Sequence, residues 1–173
     1  MLCHVLQEPV PMPWPLRPEP LEFAHSSPGF FLHEIDLDAS PDAVFAVFAD
    51  IATWPRWTYD MREARWMGEQ HEGVGALRHV TLGPTRALER FLAWEPGRRL
   101  AFRVEEVNVP LLRAFVEDWR LEPLAGGRTH LIWRVGYETS WLGWLVQPFL
   151  RPVFRWQFRQ TLLGLQRYLA RPI

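Results

Sequence analysis

The stretch Ile35-Asp36-Leu37-Asp38-Ala39-Ser40-Pro41-Asp42-Ala43-Val44-Phe45 changes its periodicity halfway through, and that change sets the frame for the chain. From Phe30 to Asp38 the residues alternate. Phe31, His33, Ile35 and Leu37 fall on one side, with Leu32, Glu34 and Asp36 on the other, the pattern of a half-buried strand. At Ser40 the logic becomes helical. A serine hydroxyl can cap the first turn, Pro41 suits a position whose N–H is unpaired anyway, and Asp42 faces the positive end of the helix dipole. Val44, Phe45, Val47 and Phe48 supply a buried side, and Pro55 ends or kinks the next stretch of chain. A first strand therefore feeds straight into short helices.

Downstream, strand-length segments dominate. The alternation predicts strands over Arg62–Met67, Gly75–Leu82, Arg86–Trp94, Leu100–Val107, Arg113–Glu122 and His130–Glu138. Their connections are short and carry turn residues, at Gly68–Gly73, Pro96-Gly97 and Ala125-Gly126-Gly127. Parallel pairing needs far longer crossovers, so the strands are expected to pair antiparallel. The last segment changes again. Thr139 to Leu150 has no charged residue, and from Arg151 onward every formal charge is an arginine. Phe158, Leu162, Leu165 and Leu169 recur at helical spacing. Pro148 and Pro152 are expected to kink or divide the start of this terminal helix.

Upstream, seven of the sixteen prolines lie within residues 1–28. That segment reads as a tail, or as a strap anchored by Trp14, Leu16 and Phe23, with the domain proper over 29–171. A chain of 173 residues fits one domain and buries enough surface to need neither metal nor disulfide. Cys3 is the single cysteine, which excludes an intrachain disulfide and a thiolate metal site and favours a reducing cytoplasm. There is no lysine, so lysine Schiff-base chemistry is excluded. A formal charge of -1 and the want of a basic stripe among the aromatics argue against nucleic acid. No phosphate loop, dinucleotide fingerprint, metal-binding helix or nucleophile elbow occurs, so neither cofactor nor metal is expected.

The order strand, short helices, six strands and long helix, together with the opening stretch and Asp50-Ile51-Ala52-Thr53-Trp54-Pro55-Arg56-Trp57, resembles the START-like helix-grip (SRPBCC) superfamily, in its polyketide cyclase/dehydrase-like branch. Trp94-Glu95-Pro96-Gly97-Arg98-Arg99-Leu100-Ala101-Phe102 and Trp119-Arg120-Leu121-Glu122-Pro123, with Gly126-Gly127-Arg128-Thr129-His130-Leu131-Ile132-Trp133, extend the likeness over roughly residues 29–169. The resemblance implies an α+β helix-grip fold, a curved antiparallel sheet wrapped around the C-terminal helix, with an apolar cavity for lipids, polyketides or aromatic metabolites. These motifs mark the fold and carry over no catalytic set.

Within that frame, Trp54, Trp57, Trp119 and Trp133 are expected as apolar contact surface, with Tyr59 and Tyr137 offering hydroxyls at the cavity mouth. His79 falls in phase with Gly75, Leu77 and Thr81, which would put it on a pocket wall, although a solvent-facing or structural role is the stronger reading. Glu117 and Arg134, if both inward, would bind a polar ligand end; one of them outside would undo the pair. His33 reads either as a neutral base in the cavity or as a satisfied sheet histidine.

Three functions are compatible with these residues. Binding or carriage of a hydrophobic small molecule fits the aromatics and the missing catalytic constellations. A cyclase or dehydrase would use dispersed groups, with His33, His79 or Glu117 as base and Tyr59, Tyr137 or Arg134 steadying an oxyanion. A membrane-peripheral or protein-interaction module would use Trp141–Leu150 followed by Arg151, Arg155 and Arg159. Neither catalytic residues nor oligomeric state is legible in the sequence.

Overall fold

The computed structural model describes residues 13–170, and its first long strand gives way to helix where Ser40 stands. The Ser40 hydroxyl accepts a hydrogen bond from the Ala43 amide at 3.3 Å. Helix α2 runs Pro41–Ala49 and buries Val44, Phe45 and Phe48. Asp50 then caps a 3-10 turn, Ile51–Thr53, by accepting from the Ala52 amide at 3.0 Å. The four-residue helix α3, Trp54–Trp57, comes directly after it. The Trp54 indole donates to the Phe48 carbonyl at 2.9 Å, tying the two helices together.

The strands are β1 Trp14–Pro15, β2 Gly29–Leu37, β3 Met61–Met67, β4 Leu77–Leu82, β5 Thr85–Glu95, β6 Arg99–Val107, β7 Leu112–Leu124 and β8 Arg128–Thr139. Their order is β2-β8-β7-β6-β5-β4-β3, antiparallel throughout. The register between β5 and β6 shifts twice, leaving Glu105 on β6 and Leu92 on β5 without a partner, and such bulges bend and twist a sheet. Helix α4, Trp141–Leu169, lies across the concave face, which is the helix-grip α+β fold that the sequence predicts.

Two of the helix's glycines allow close backbone approach. A Cβ on Gly164 would run into the Trp57 carbonyl, and one on Gly143 into that of Leu111. Of the two expected effects, kinking and division, Pro148 and Pro152 do not divide α4; both lie inside one continuous helix. Each removes the amide that would bond the carbonyl four residues earlier, on Trp144 and Pro148. Trp144 is exposed and Pro148 and Pro152 line the solvent-open side, so water can satisfy those carbonyls.

Residues 13–28 contribute to the sheet itself. Strand β6 pairs with β7 only over Arg99–Arg103, and beyond that point the two strands part. The opening is bridged by β1, which pairs with Glu106 and Val107. The Leu16 amide donates to the Glu105 carbonyl and the Arg17 amide to that of Arg113, both at 2.8 Å, so one short segment links the parted strands. Leu16 is buried in the core, whereas Trp14 is exposed. Helix α1, Phe23–Ser26, packs Phe23 and Ala24 onto Ala114 and Val116 on the convex face. The prolines before Pro13, together with Cys3, lie outside the described residues.

Candidate functional site

Alternation along β7 and β8 sends Glu117, Trp119 and Trp133 to the concave face. Both indoles donate to the same oxygen, Oε2 of Glu117, at 2.9 Å. Their rings stack at 4.0 Å, and Trp54, Trp57 and Phe48 close around Trp119. Of the residues the sequence singles out, Trp54, Trp57, Glu117, Trp119 and Trp133 thus form one cluster.

A second carboxylate and an arginine share this interior. Arg78 on β4 and Glu89 on β5 are register partners, both buried. Arg78 Nε donates to Glu89 Oε2 at 2.7 Å. Its Nη2 stands 2.6 Å from the same oxygen but off the hydrogen-bond line, so that contact is Coulombic. The guanidinium lies over the Trp54 ring at 3.9 Å and within 4.7 Å of Phe102, where aromatic faces take the place of water. Burial raises the Glu89 pKa, opposed by Arg78. For Glu117, burial and then the nearby Glu89 charge push the pKa up to about 8, against the two indole donors and Arg78. At neutral pH the Glu117 carboxyl is therefore protonated and adds no charge to the interior beside the Arg78–Glu89 contact.

The remaining expected residues lie elsewhere. Arg78 occupies the inward phase of β4, so His79 faces the convex side. There its Nδ1 is buried without a partner, and burial followed by Arg65 lowers its pKa. Arg134 is opposite Asp118, also on the convex side. It donates to the Ala24 carbonyl at 2.7 Å and covers the Phe30 ring, so it does not meet Glu117. Tyr59 is exposed and meets Trp156 edge-on at 4.9 Å. Tyr137 is buried against Phe31 and accepts from Gln147 Nε2 at 2.9 Å.

The enclosed cavity that the resemblance implies is not what the tryptophan cluster surrounds, because stacked rings fill that space. The larger opening is a groove of about 720 Å³ at the edge of the sheet, between His33 on β2 and the first half of α4. Gln147, Arg151, Arg155 and Arg159, four residues apart, form one row along its helical wall. His33 packs beside Trp133 at 6.0 Å and Phe158 at 5.7 Å. Its Nε2 is buried and unpartnered, and burial, then Arg155, lowers its pKa, so the imidazole is neutral at pH 7. Trp133 stands between this groove and the Glu117 carboxyl. A smaller depression of about 410 Å³ lies between α3 and the second half of α4.

Among the described residues, none of the three groove arginines is in an ion pair, and α4 carries no acid at all. The groove thus offers uncompensated positive charge beside apolar rings, suited to an acidic or carbonyl-bearing end of an apolar molecule. Among the described residues no three His, Cys, Asp or Glu side chains cluster as metal ligands. Sequence reasoning misses Arg78, whose inward phase shows only once β4 is registered against Glu89, and it gives the arginine row a surface role.

A long helix gripped by a curved antiparallel sheet, with polar groups gathered between them, defines a helix-grip protein of the START-like type. Residues 31–170 match the family described as polyketide cyclase / dehydrase and lipid transport, and the chain belongs to that family. Uncharacterized proteins of Mycobacterium tuberculosis and Mycobacterium bovis are 32% identical over 149 residues, 86% of this chain and 89% of theirs. Among solved structures, the Zhui aromatase/cyclase from Streptomyces aligns with a TM-score of 0.69 at 19% identity, covering 83% of this chain and 94% of that one. A Thermus thermophilus protein aligns at 0.67 and 18% identity, over 82% and 97%. At such identities the structural likeness establishes the fold.

Proposed function

We propose that the chain binds and carries a hydrophobic small molecule, a lipid, polyketide or aromatic metabolite, whose polar end is anionic or carbonyl-bearing. The observation that carries this reading is the groove of about 720 Å³ with its row of Arg151, Arg155 and Arg159 and no acid on the same helix. Its volume falls within the roughly 300–1,000 Å³ usual for small-molecule sites. The apolar body lies along Pro148, Pro152 and Trp156, and the head meets the guanidinium row. The family description, which includes lipid transport, supports the reading. The single cysteine is consistent with work in a reducing cytoplasm.

Displacement of a fluorescent fatty acid tests it, with native mass spectrometry of the purified chain. Arg155→Gln with Arg159→Gln should weaken a carboxylate ligand about tenfold or more while sparing the matching neutral alcohol. Failure to bind anything across a lipid and polyketide panel counts against the proposal.

One observation favours a second reading, a cyclase or dehydrase. His33 lines the groove and its Nε2 is buried and unpartnered, so in this reading a side-chain rotation would bring that nitrogen to a carbonyl-bearing substrate as the base, with Arg155 steadying the developing oxyanion. Glu117 lies behind Trp133 and has no part in it. Turnover of poly-β-keto thioesters that vanishes in His33→Ala supports this reading, and no turnover, or turnover unchanged in that variant, removes it.

A further inference from the structure

The first half of α4 shows to solvent what a helix on a sheet ordinarily hides. Trp141, Leu145, Phe149 and Trp156 are all exposed, Trp141 at 74% and Phe149 at 79% of their surface. Spacings of four, four and seven residues put them in one stripe. Directed away from the sheet, with Trp156 at the rim of the groove, this stripe is about 22 Å long at 1.5 Å per residue. The row Arg151, Arg155 and Arg159 runs beside it, roughly 80–90° round the helix. Burial of α4 becomes regular only from Thr161, Leu162 and Leu165 onward.

We propose that this half-helix docks the protein on a bilayer of anionic phospholipid, lying in the interfacial plane. Three features select that occupant. Tryptophan and phenylalanine suit the boundary between acyl chains and headgroups. The adjacent arginines, without an acid anywhere on α4, match a negative surface. A second copy packed antiparallel on the same stripe about a two-fold axis would bring two unneutralised arginine rows together, which like-charge repulsion opposes. The helix lies on the bilayer and does not cross it: no helix among the described residues is long and apolar enough to span. The groove opens along the same arginine row, so a docked protein would hold its mouth at the headgroups. Docking itself does not depend on the groove being a ligand site.

The test is co-sedimentation of the full chain with vesicles of phosphatidylglycerol and phosphatidylcholine, against phosphatidylcholine alone. Binding is expected to the mixed vesicles only and to fall as salt rises. Arg151→Gln with Arg155→Gln should weaken it roughly thirtyfold, about fivefold for each charge. Trp141→Ser with Phe149→Ser should weaken it more than tenfold. Both of those residues are exposed and neither lines the groove, so fold and fatty-acid displacement in solution should be unchanged in that variant. A failed vesicle experiment is thereby distinguishable from a failed groove experiment. The proposal is overturned if the full chain ignores anionic vesicles, or binds neutral ones equally well. It is also overturned if the serine variant retains vesicle binding and instead converts a dimer to a monomer in sedimentation velocity.

Discussion

Replacing Glu117 by glutamine should flatten part of the pH dependence of stability. The native carboxyl titrates at about 8 against 4.5 for the free side chain, because it is buried between two indoles with Glu89 nearby. Between those values the folded chain binds a proton that the unfolded chain has released. Stability due to this group is therefore fully present below the unfolded pKa and is lost as pH rises through the folded one. The slope is about 1.4 kcal/mol per pH unit, so roughly 4 kcal/mol disappears between about pH 5 and pH 8, an upper bound if water reaches the site. Glutamine has nearly the same shape, can accept from both indoles and does not titrate.

His33 and His79, whose pKa values are lowered, act in the opposite sense, since neutral buried imidazoles favour folding as pH rises toward the ordinary histidine value. They are common to both proteins and cancel in the difference. Urea unfolding of the native chain and of Glu117→Gln at several pH values across this range measures the quantity directly. The native chain should lose ground to the variant steadily, by several kcal/mol overall. A difference that stays constant from pH 5 to pH 8 would refute the reasoning about the interior.

Two further outcomes are expected. Arg78→Met should cost about 3–5 kcal/mol in urea unfolding, because Glu89 is left buried without its partner, and Arg78→Met with Glu89→Leu should recover much of the loss. Gly164→Ala should lower stability by about 1–3 kcal/mol in thermal unfolding, because its Cβ meets the Trp57 carbonyl and one of the two helices must give way.

Where local chemistry decides an element, the sequence is sufficient. Ser40-Pro41-Asp42 marks the helix start, and the cap forms as those residue types require. The alternation of Trp119 and Trp133 with neighbouring polar residues puts both rings, and Glu117, on the correct face. Strand β4 is harder because Arg78 and His79 are adjacent polar residues, so either phase is chemically reasonable. Gly75 and Leu77 favour His79. The deciding fact is the match of Arg78 to Glu89 across a hairpin, a property of register that a single strand does not display. Arg134 misleads for a related reason: alternation groups it with Ile132 and Gly136, whereas Trp133, Val135 and Tyr137 form the inward set. The groove is illegible because it depends on how far the first half of α4 stands from β2, and spacing along a helix says nothing of that distance.

The short strand β1 carries a consequence for the order of events in folding. Its amide partners lie on β6 and β7, about ninety residues further along, so the seat for Leu16 does not exist until most of the barrel-like wall has been made and paired. A segment made before the strands it joins is thus fitted among the last, like a keystone cut before the arch. Its amide protons would be expected to exchange through local release of the strap as well as through global unfolding, making Leu16 and Arg17 reporters of that final step.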